Sequence, residues 1–304
     1  MNHTKRNIIW LIVFLGADII GLCSEPFAKG PYLGQIPPGP VAKVFAPGLI
    51  CDTRLHRWES HGSFSADGNT FCYVGVRGVF ITENTDQGWT TPKRIKSIPT
   101  DKFIFSPCVS PDANSIYFMY SYDRSSGYNP FRCQRTSDGW SSPQKVEPIF
   151  NYPGLSHGGF SFAADNSIYV FITWQKAEGR VRGTFYVPYV NNTWARAVKL
   201  SVDGGAPGIA PDESFMVFNA PGLPDGLGAT DLYLILRRPD GSWTKAQNLG
   251  PRINSAYYEY AARISSDKKY MFFTRANGWG ENSYRDTADI YWVELKEYLP
   301  ESYR

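Results

Sequence analysis

Five times along the chain, a polar turn built around an aspartate is followed directly by an apolar run: SADGNTFCYVG (65–75), SPDANSIYFMY (110–120), AADNSIYVFIT (163–173), APDESFMVFNA (210–220) and SSDKKYMFFTR (265–275). Asp67, Asp112, Asp165, Asp212 and Asp267 form one column, with separations of 45, 53, 47 and 55 residues. Short runs rich in aromatic and β-branched residues, bounded by turn-forming pairs, read as strands rather than helices. Strand-like units repeating at this period predict a β-propeller in which each copy is one four-stranded blade.

A second column agrees with the first. DQGWTTPKRI (86–95), SDGWSSPQKV (137–146), NNTWARAVKL (191–200) and DGSWTKAQNL (240–249) set Trp89, Trp140, Trp194 and Trp243 at matched places, each after a polar turn. Within a blade, the innermost strand therefore ends at the Asp turn and the second carries the aromatic run. The third ends at the polar turn, and the outermost begins at the Trp. The fifth copy has no Trp turn of its own. PVAKVFAPGL (40–49), ahead of the first copy, has the composition of the outer-strand segments. It is expected to complete the last blade and remove the open edges of the array. The expectation is an all-β, five-bladed β-propeller of four-stranded antiparallel sheets closed by the N-terminal strand, one domain over 40–304.

The stretch 231–275 resembles the WD40-like repeat of TolB-type propellers, a family of extracytoplasmic bacterial proteins. The resemblance rests on Asp231-Leu232-Tyr233, the Gly241-Ser242-Trp243 turn, Asn248-Leu249-Gly250, Ile253-Asn254-Ser255 and Glu259 ahead of the next Ser-x-Asp turn. It extends over roughly residues 40 to 299. Pro-Asp-Gly is replaced by Ala-Ala-Asp-Asn at 163–166 and by Ser-Ser-Asp-Lys at 265–268, which weakens single turns and not the array. The resemblance implies a compartment more than a reaction, because such propellers include docking proteins, envelope scaffolds and sugar-processing enzymes.

Composition changes the picture little. With 42% hydrophobic and 15% aromatic residues, 28 Gly and 22 Pro, the chain suits many short strands and turns around a large core. A formal net charge of +3, with scattered basic residues, argues against nucleic acid as a partner. Lys5 and Arg6 precede an apolar run from Ile8 to Ala17, the layout of a secretory signal. Residues 1–25 are therefore expected to be a signal peptide or lipoprotein signal, with Cys23 as the alternative lipid anchor and the only link to a membrane. Residues 26–39 are expected to be an irregular Pro/Gly-rich arm. The location expected is extracytoplasmic: periplasmic, secreted or lipid-anchored. Cys51, Cys72, Cys108 and Cys133 lack Cys-x-x-Cys spacing, which argues against zinc. Free buried thiols are the expectation, with Cys72–Cys108 or Cys51–Cys133 as conceivable disulfides.

In a propeller, the connections that lead into the innermost strand and those joining the second strand to the third share the face around the channel mouth. The latter segments, 121–130, 174–183, 220–230 and 275–288, are long and mixed in character, and such loops on a rigid scaffold commonly carry function. The former place Trp58, Glu59, His61, His157, Tyr258, Glu259 and Arg263 near the mouth as candidate ligand-binding residues. Glu59 and Glu259 both stand eight positions before their blade's Asp. Aromatic faces with carboxylates and Arg suit a sugar; the same carboxylates paired with Arg57 and Arg263 would only brace the loops.

Two classes of function follow. The first is a non-catalytic binding module for a carbohydrate or an envelope protein, acting as a monomer. The second is a carbohydrate-active enzyme. A glycoside hydrolase would draw two carboxyl groups from Glu59, Glu259, Asp225, Glu281 and Asp286. A metal-assisted lyase would need a divalent metal on His56, His61 and His157. Serine hydrolysis is not favoured, because the chain reads as all-β with no α/β domain expected. The binding module is the expectation, with no catalytic residue assigned.

Overall fold

The computed structural model describes residues 27–51, 58–76, 78–100, 103–121, 128–146, 156–176, 179–278 and 287–304, the side chains of 156, 157, 174–176, 179 and 180 excepted. The expected signal segment and Cys23 lie outside them. The structure is a five-bladed propeller of antiparallel sheets. Blade 1 runs from the channel outward as Ser60–Phe64, Thr70–Gly75, Gly78–Thr85 and the short outer pieces Gly88–Trp89 and Lys93–Arg94. Blade 2 repeats this with Phe103–Val109, Ser115–Ser121, Asn129–Thr136, Gly139–Trp140 and Gln144–Lys145. Blade 3 uses Ser156–Phe162, Ile168–Lys176, Gly179–Val187 and Val198–Lys199, and blade 4 Gly205–Ile209, Phe215–Ala220, Asp231–Leu236 and Gln247–Asn248. Blade 5 takes Tyr258–Ile264, Tyr270–Ala276 and Ala288–Glu294, and its outer strand is Lys43–Val44 from the start of the chain.

The closing strand sits in the same register as its counterpart one blade earlier. Lys43 faces Trp292 and Val44 faces Tyr291, as Gln247 faces Leu234 and Asn248 faces Tyr233. Phe45 N–H then donates to Ile290 O at 2.7 Å, as Leu249 N–H does to Leu232 O at 3.1 Å. Cys51 follows: Ile290 N–H donates to its Sγ at 3.3 Å, serving the third strand much as Asn254 Oδ1 serves Leu232 N–H at 2.9 Å. The arm before this strand is pinned rather than loose. Phe27 N–H donates to Trp89 O, Trp89 Nε1 donates to Gly30 O at 2.7 Å, and Tyr32 packs its ring against Phe64 and Tyr270.

Each junction between successive blades has its own apolar core, since a blade presents both faces to neighbours. Val79, Ile81, Ile116 and Phe118 fill the first junction, and Tyr117, Met119, Val170 and Phe185 the second. Tyr169, Met216 and Phe218 fill the third, Leu232, Leu234, Met271 and Phe273 the fourth. Phe45, Phe71, Phe272 and Trp292 fill the fifth, which the N-terminal strand closes. The Trp column works across these junctions. Trp194 meets Tyr117 of the preceding blade edge-on at 5.8 Å, and Trp243 meets Tyr169 at 6.5 Å.

The Asp column caps the hairpins. Asp67 accepts from Ser65 Oγ and from Asn69 N–H, while Thr70 N–H returns to Ser65 Oγ. Asp112 and Asp267 repeat this set with Ser110, Asn114 and Ser115, and with Ser265, Lys269 and Tyr270. At the altered copy Asp165 accepts from Ser167 N–H at 2.8 Å, and Ala163 N–H bonds Ser167 O, a turn one residue shorter. Burial alone would raise the pKa of Asp67, Asp112 and Asp267, but their Ser and backbone donors outweigh it and hold all three below the ordinary value.

One sequence expectation is corrected. The segment 174–183 is largely not a loop: the second and third strands of blade 3 pair as far as Lys176 and Gly179. Both strands simply continue outward, because Thr173, Val181 and Thr184 suit a pleated surface as well as the core positions do.

Candidate functional site at the channel mouth

The innermost strands all carry a register irregularity at one place, between Ser60 and Ser63, Phe105 and Cys108, His157 and Phe160, Gly205 and Gly208, and Tyr260 and Arg263. His61, Ser106, Ala206 and Ala261 sit at equivalent points with φ of 55°, 54°, 37° and 55°. Bulges of this kind re-aim side chains, and here they draw the inner strands together at the axis. Gly208 shows how close they come, because a Cβ there would lie 2.4 Å from Ala262 O of the next blade.

At the entrance to the inner strands, Trp58 bridges Ala288, and Tyr258 bridges Thr230, in parallel fashion. Glu59 N–H bonds Ala288 O at 2.9 Å and Glu259 N–H bonds Thr230 O at 3.0 Å. The two glutamates are thus equivalent by the pseudo-symmetry, one at the junction of blades 5 and 1, the other at that of blades 4 and 5. Glu259 is fully enclosed. It accepts from Arg275 Nε at 2.7 Å and from Ser255 Oγ and N–H, and Arg275 also donates to Ile253 O and lies over the Tyr291 ring at 4.3 Å. Its cation is therefore Arg275, its cross-strand neighbour, and not Arg263. Glu59 is buried close to Tyr73 and Cys51, whose pKa values burial raises and the Glu59 carboxylate raises further.

Trp58 Nε1 donates to Ser60 Oγ at 3.0 Å, and Ser60 Oγ lies 2.9 Å from His61 Nδ1. His61 is set between Tyr260 of blade 5 and Phe105 of blade 2, with centroids 5.3 and 6.0 Å away. Burial first, and the nearby Arg263 second, lower its pKa from 6.5 to about 3. A neutral ring shares one proton with Ser60 across this contact, as donor or as acceptor according to its tautomer. Arg263 lies deeper in the channel, 5% exposed, and its Nη2 crosses from blade 5 to Ser106 Oγ of blade 2 at 2.8 Å. Ser106, Arg275 and Thr274, whose Oγ1 accepts from His61 N–H at 2.9 Å, escape a sequence reading because their roles depend on the bulge and on partners on other strands. The His157 side chain lies outside the described residues, as do His56, Arg57, Glu281 and Asp286. No group of three or more His, Cys, Asp or Glu suited to a metal occurs among the described residues. Cys51, Cys72, Cys108 and Cys133 are free and buried.

The residues that carry the family resemblance form one polar bracket beside the mouth. Asp231 accepts from Leu227 N–H at 2.6 Å, from Gly228 N–H at 3.1 Å and from Asn248 Nδ2 at 2.8 Å. Asn254 bonds both the N–H and the C=O of Leu232, and also Asn248. Tyr233 Oη and Asn248 Nδ2 tie down Asp225. Ala229 N–H bonds Tyr257 O at 3.1 Å. The loop 221–230 is thereby held from below and from the side, with Leu223, Leu227 and Tyr257 turned to solvent, 38%, 47% and 51% exposed.

No protein-family model matches the chain, and no curated protein matches it. Among solved structures it is similar to the exo-β-1,3-galactanase 1,3Gal43A from Clostridium thermocellum, with 13% identity and a TM-score of 0.51 over 83% of this chain and 62% of that one. It is also similar to TolB from Acinetobacter baumannii, with 10% identity and a TM-score of 0.46 over 79% of this chain and 55% of that one. The catalytic domain of the Coprinopsis cinerea GH62 α-L-arabinofuranosidase matches at 12% identity and a TM-score of 0.48, over 85% and 98% of the two chains. The chain thus spans under two thirds of the length of the galactanase and of TolB. The likeness to the galactanase is one of fold alone.

Proposed function

We propose that this propeller is a non-catalytic binding module that docks an envelope protein or a carbohydrate on the face around the channel mouth. The observation that carries the reading is the bracketed loop 221–230, which presents Leu223 and Leu227 on a pre-ordered backbone beside the exposed Tyr257. A surface that is already ordered loses little entropy when a partner arrives, and exposed apolar side chains grouped on one rim are a common mark of a docking site. Trp58, Glu59 and Tyr258 border the same face, so the candidate ligand-binding residues of the mouth belong to this reading. The apolar character of the rim favours a protein over a sugar. An extracytoplasmic location is part of the proposal, on the strength of the charged-then-apolar N-terminal layout.

The competing reading, a carbohydrate-active enzyme, asks for two carboxyl groups free to act on a substrate. Glu259 is engaged by Arg275 and Ser255, which favours the binding module. The test is a pull-down from an envelope extract with wild type and with Leu223→Asp/Leu227→Asp, alongside melting curves with neutral and acidic oligosaccharides. A partner recovered by wild type and lost by the double variant supports the proposal. Cleavage of an oligosaccharide, abolished by Glu59→Gln, would replace it with the enzyme reading.

A further inference from the structure

Arg263 is a cation buried in the middle of the ring, with no carboxylate partner among the described residues. It is 5% exposed; Nη1 donates to Ala262 O at 2.9 Å, Nη2 donates to Ser106 Oγ at 2.8 Å, and the buried Nε–H meets no acceptor among the described residues. None of its partners among the described residues is a carboxylate. The contrast with Arg275 is instructive, since that guanidinium, also largely enclosed, lies 2.7 Å from the Glu259 carboxylate. Burying an unpaired ion is expensive, and natural proteins neutralise such ions or give them a partner. Arg cannot escape the penalty by losing its proton. Its field is felt by His61, whose pKa the guanidinium pushes further in the direction that burial already sets.

We propose that the channel core binds one small monovalent anion, of halide size, against Nε–H of Arg263. The surrounding walls set the size. A Cβ on Gly159 would lie 2.7 Å from Ala206 Cβ and 3.2 Å from Ser106 Oγ, and one on Gly208 would meet Ala262 O, so neighbouring inner strands pack closely here, which favours a small ion. His61, close enough to Arg263 for the guanidinium to lower its pKa, brings blade 1 to the same place. The anion would act as the missing acceptor and as a tie among blades 1, 2 and 5 at the axis. This site is separate from the outer rim proposed for partner docking and stands or falls on its own.

The experiment compares melting temperature in sodium bromide with that in sodium gluconate at constant ionic strength, for wild type, Arg263→Met and Ser106→Ala, and locates bromide by anomalous scattering in crystals of the wild type. Expected are a saturable rise of a few °C for wild type, no rise for Arg263→Met, and an anomalous peak within hydrogen-bond distance of Arg263 Nε. If Arg263→Met fails to fold, a weakened response of Ser106→Ala, which loosens the guanidinium while leaving its charge, serves in its place. A water at Nε in saturating bromide overturns the proposal. So does a peak there without any wild-type rise in melting temperature, which marks an adventitious ion only.

Discussion

Truncation of Phe45 measures what ring closure is worth. The residue follows directly on the strand Lys43–Val44 and is wholly buried. Its ring meets Phe71 at 5.3 Å, Phe272 at 5.1 Å, Trp292 at 5.3 Å and Phe64 at 5.9 Å, all steeply inclined. It therefore joins blade 1 to blade 5. Withdrawing a Phe side chain of this kind from water contributes about 1.5–3 kcal/mol, and four enclosing rings cannot collapse into the space it leaves. Phe45→Ala should cost about 3–5 kcal/mol, lowering the melting temperature by roughly 6–20 °C for a domain of this size. Urea unfolding followed by tryptophan fluorescence is the assay, with a lower midpoint at an unchanged slope expected. Phe45→Leu, which keeps most of the volume, should lose less than half as much. A loss below about 1 kcal/mol for Phe45→Ala would refute the reasoning, because the N-terminal strand would then be an appendage and not the fifth seam of the ring.

Further outcomes follow from other contacts. Glu259→Gln strands the Arg275 cation and should destabilise by about 3–5 kcal/mol, whereas the double change Glu259→Met/Arg275→Met should cost clearly less, a comparison made by denaturant midpoints. His61 has a lowered folded-state pKa, so the unfolded chain binds the extra proton and stability falls as pH drops from 6.5 toward about 3; His61→Asn, which tolerates the positive φ, should flatten that part of the stability profile. The turn carboxyls Asp67, Asp112 and Asp267 lie below their ordinary value, so their contribution is complete above about pH 4 and is lost as pH falls through the lowered values; Asp112→Asn should reduce the acid sensitivity seen by circular dichroism. The four described cysteines should be inert to an aromatic disulfide reagent in the native protein and react on unfolding, since burial raises the Cys51, Cys72 and Cys133 thiols, the last to about 11.

The Asp and Trp columns were readable because each closes its contacts locally or against the next copy. Ser65, Asp67 and Asn69 complete a turn within five residues, so the sequence motif is the structural unit. The closing strand was readable for a related reason: Lys43 to Leu49 stands where Gln247 to Ile253 stands one blade earlier, and the pairing register is the same. The channel was not readable. Arg263 finds Ser106 across 157 residues of chain, and His61 finds Thr274 across 213. The bulge that aims them rests on a backbone twist shared by His, Ser and Ala, residue types with nothing in common to mark the position. The equal spacing of Glu59 and Glu259 from their blade's Asp is visible in the sequence, and their backbone bonds are equivalent, but Arg275, eight residues past Asp267 on the next strand, stands as one more polar residue in an aromatic run.

The outer strand of the last blade lies near the beginning of the chain, and its partner Ala288–Glu294 near the end. During synthesis, the first piece of the ring to emerge must wait, unpaired, until nearly all of the remaining chain has followed it. Contacts of that sequence separation are entropically slow to form, so the circle shuts last and in a single step. Until then blade 5 carries an open edge and blade 1 an uncovered face, the species most exposed to clumping. For a chain threaded through a membrane before folding, the same delay is an advantage, because nothing ring-like exists to block its passage.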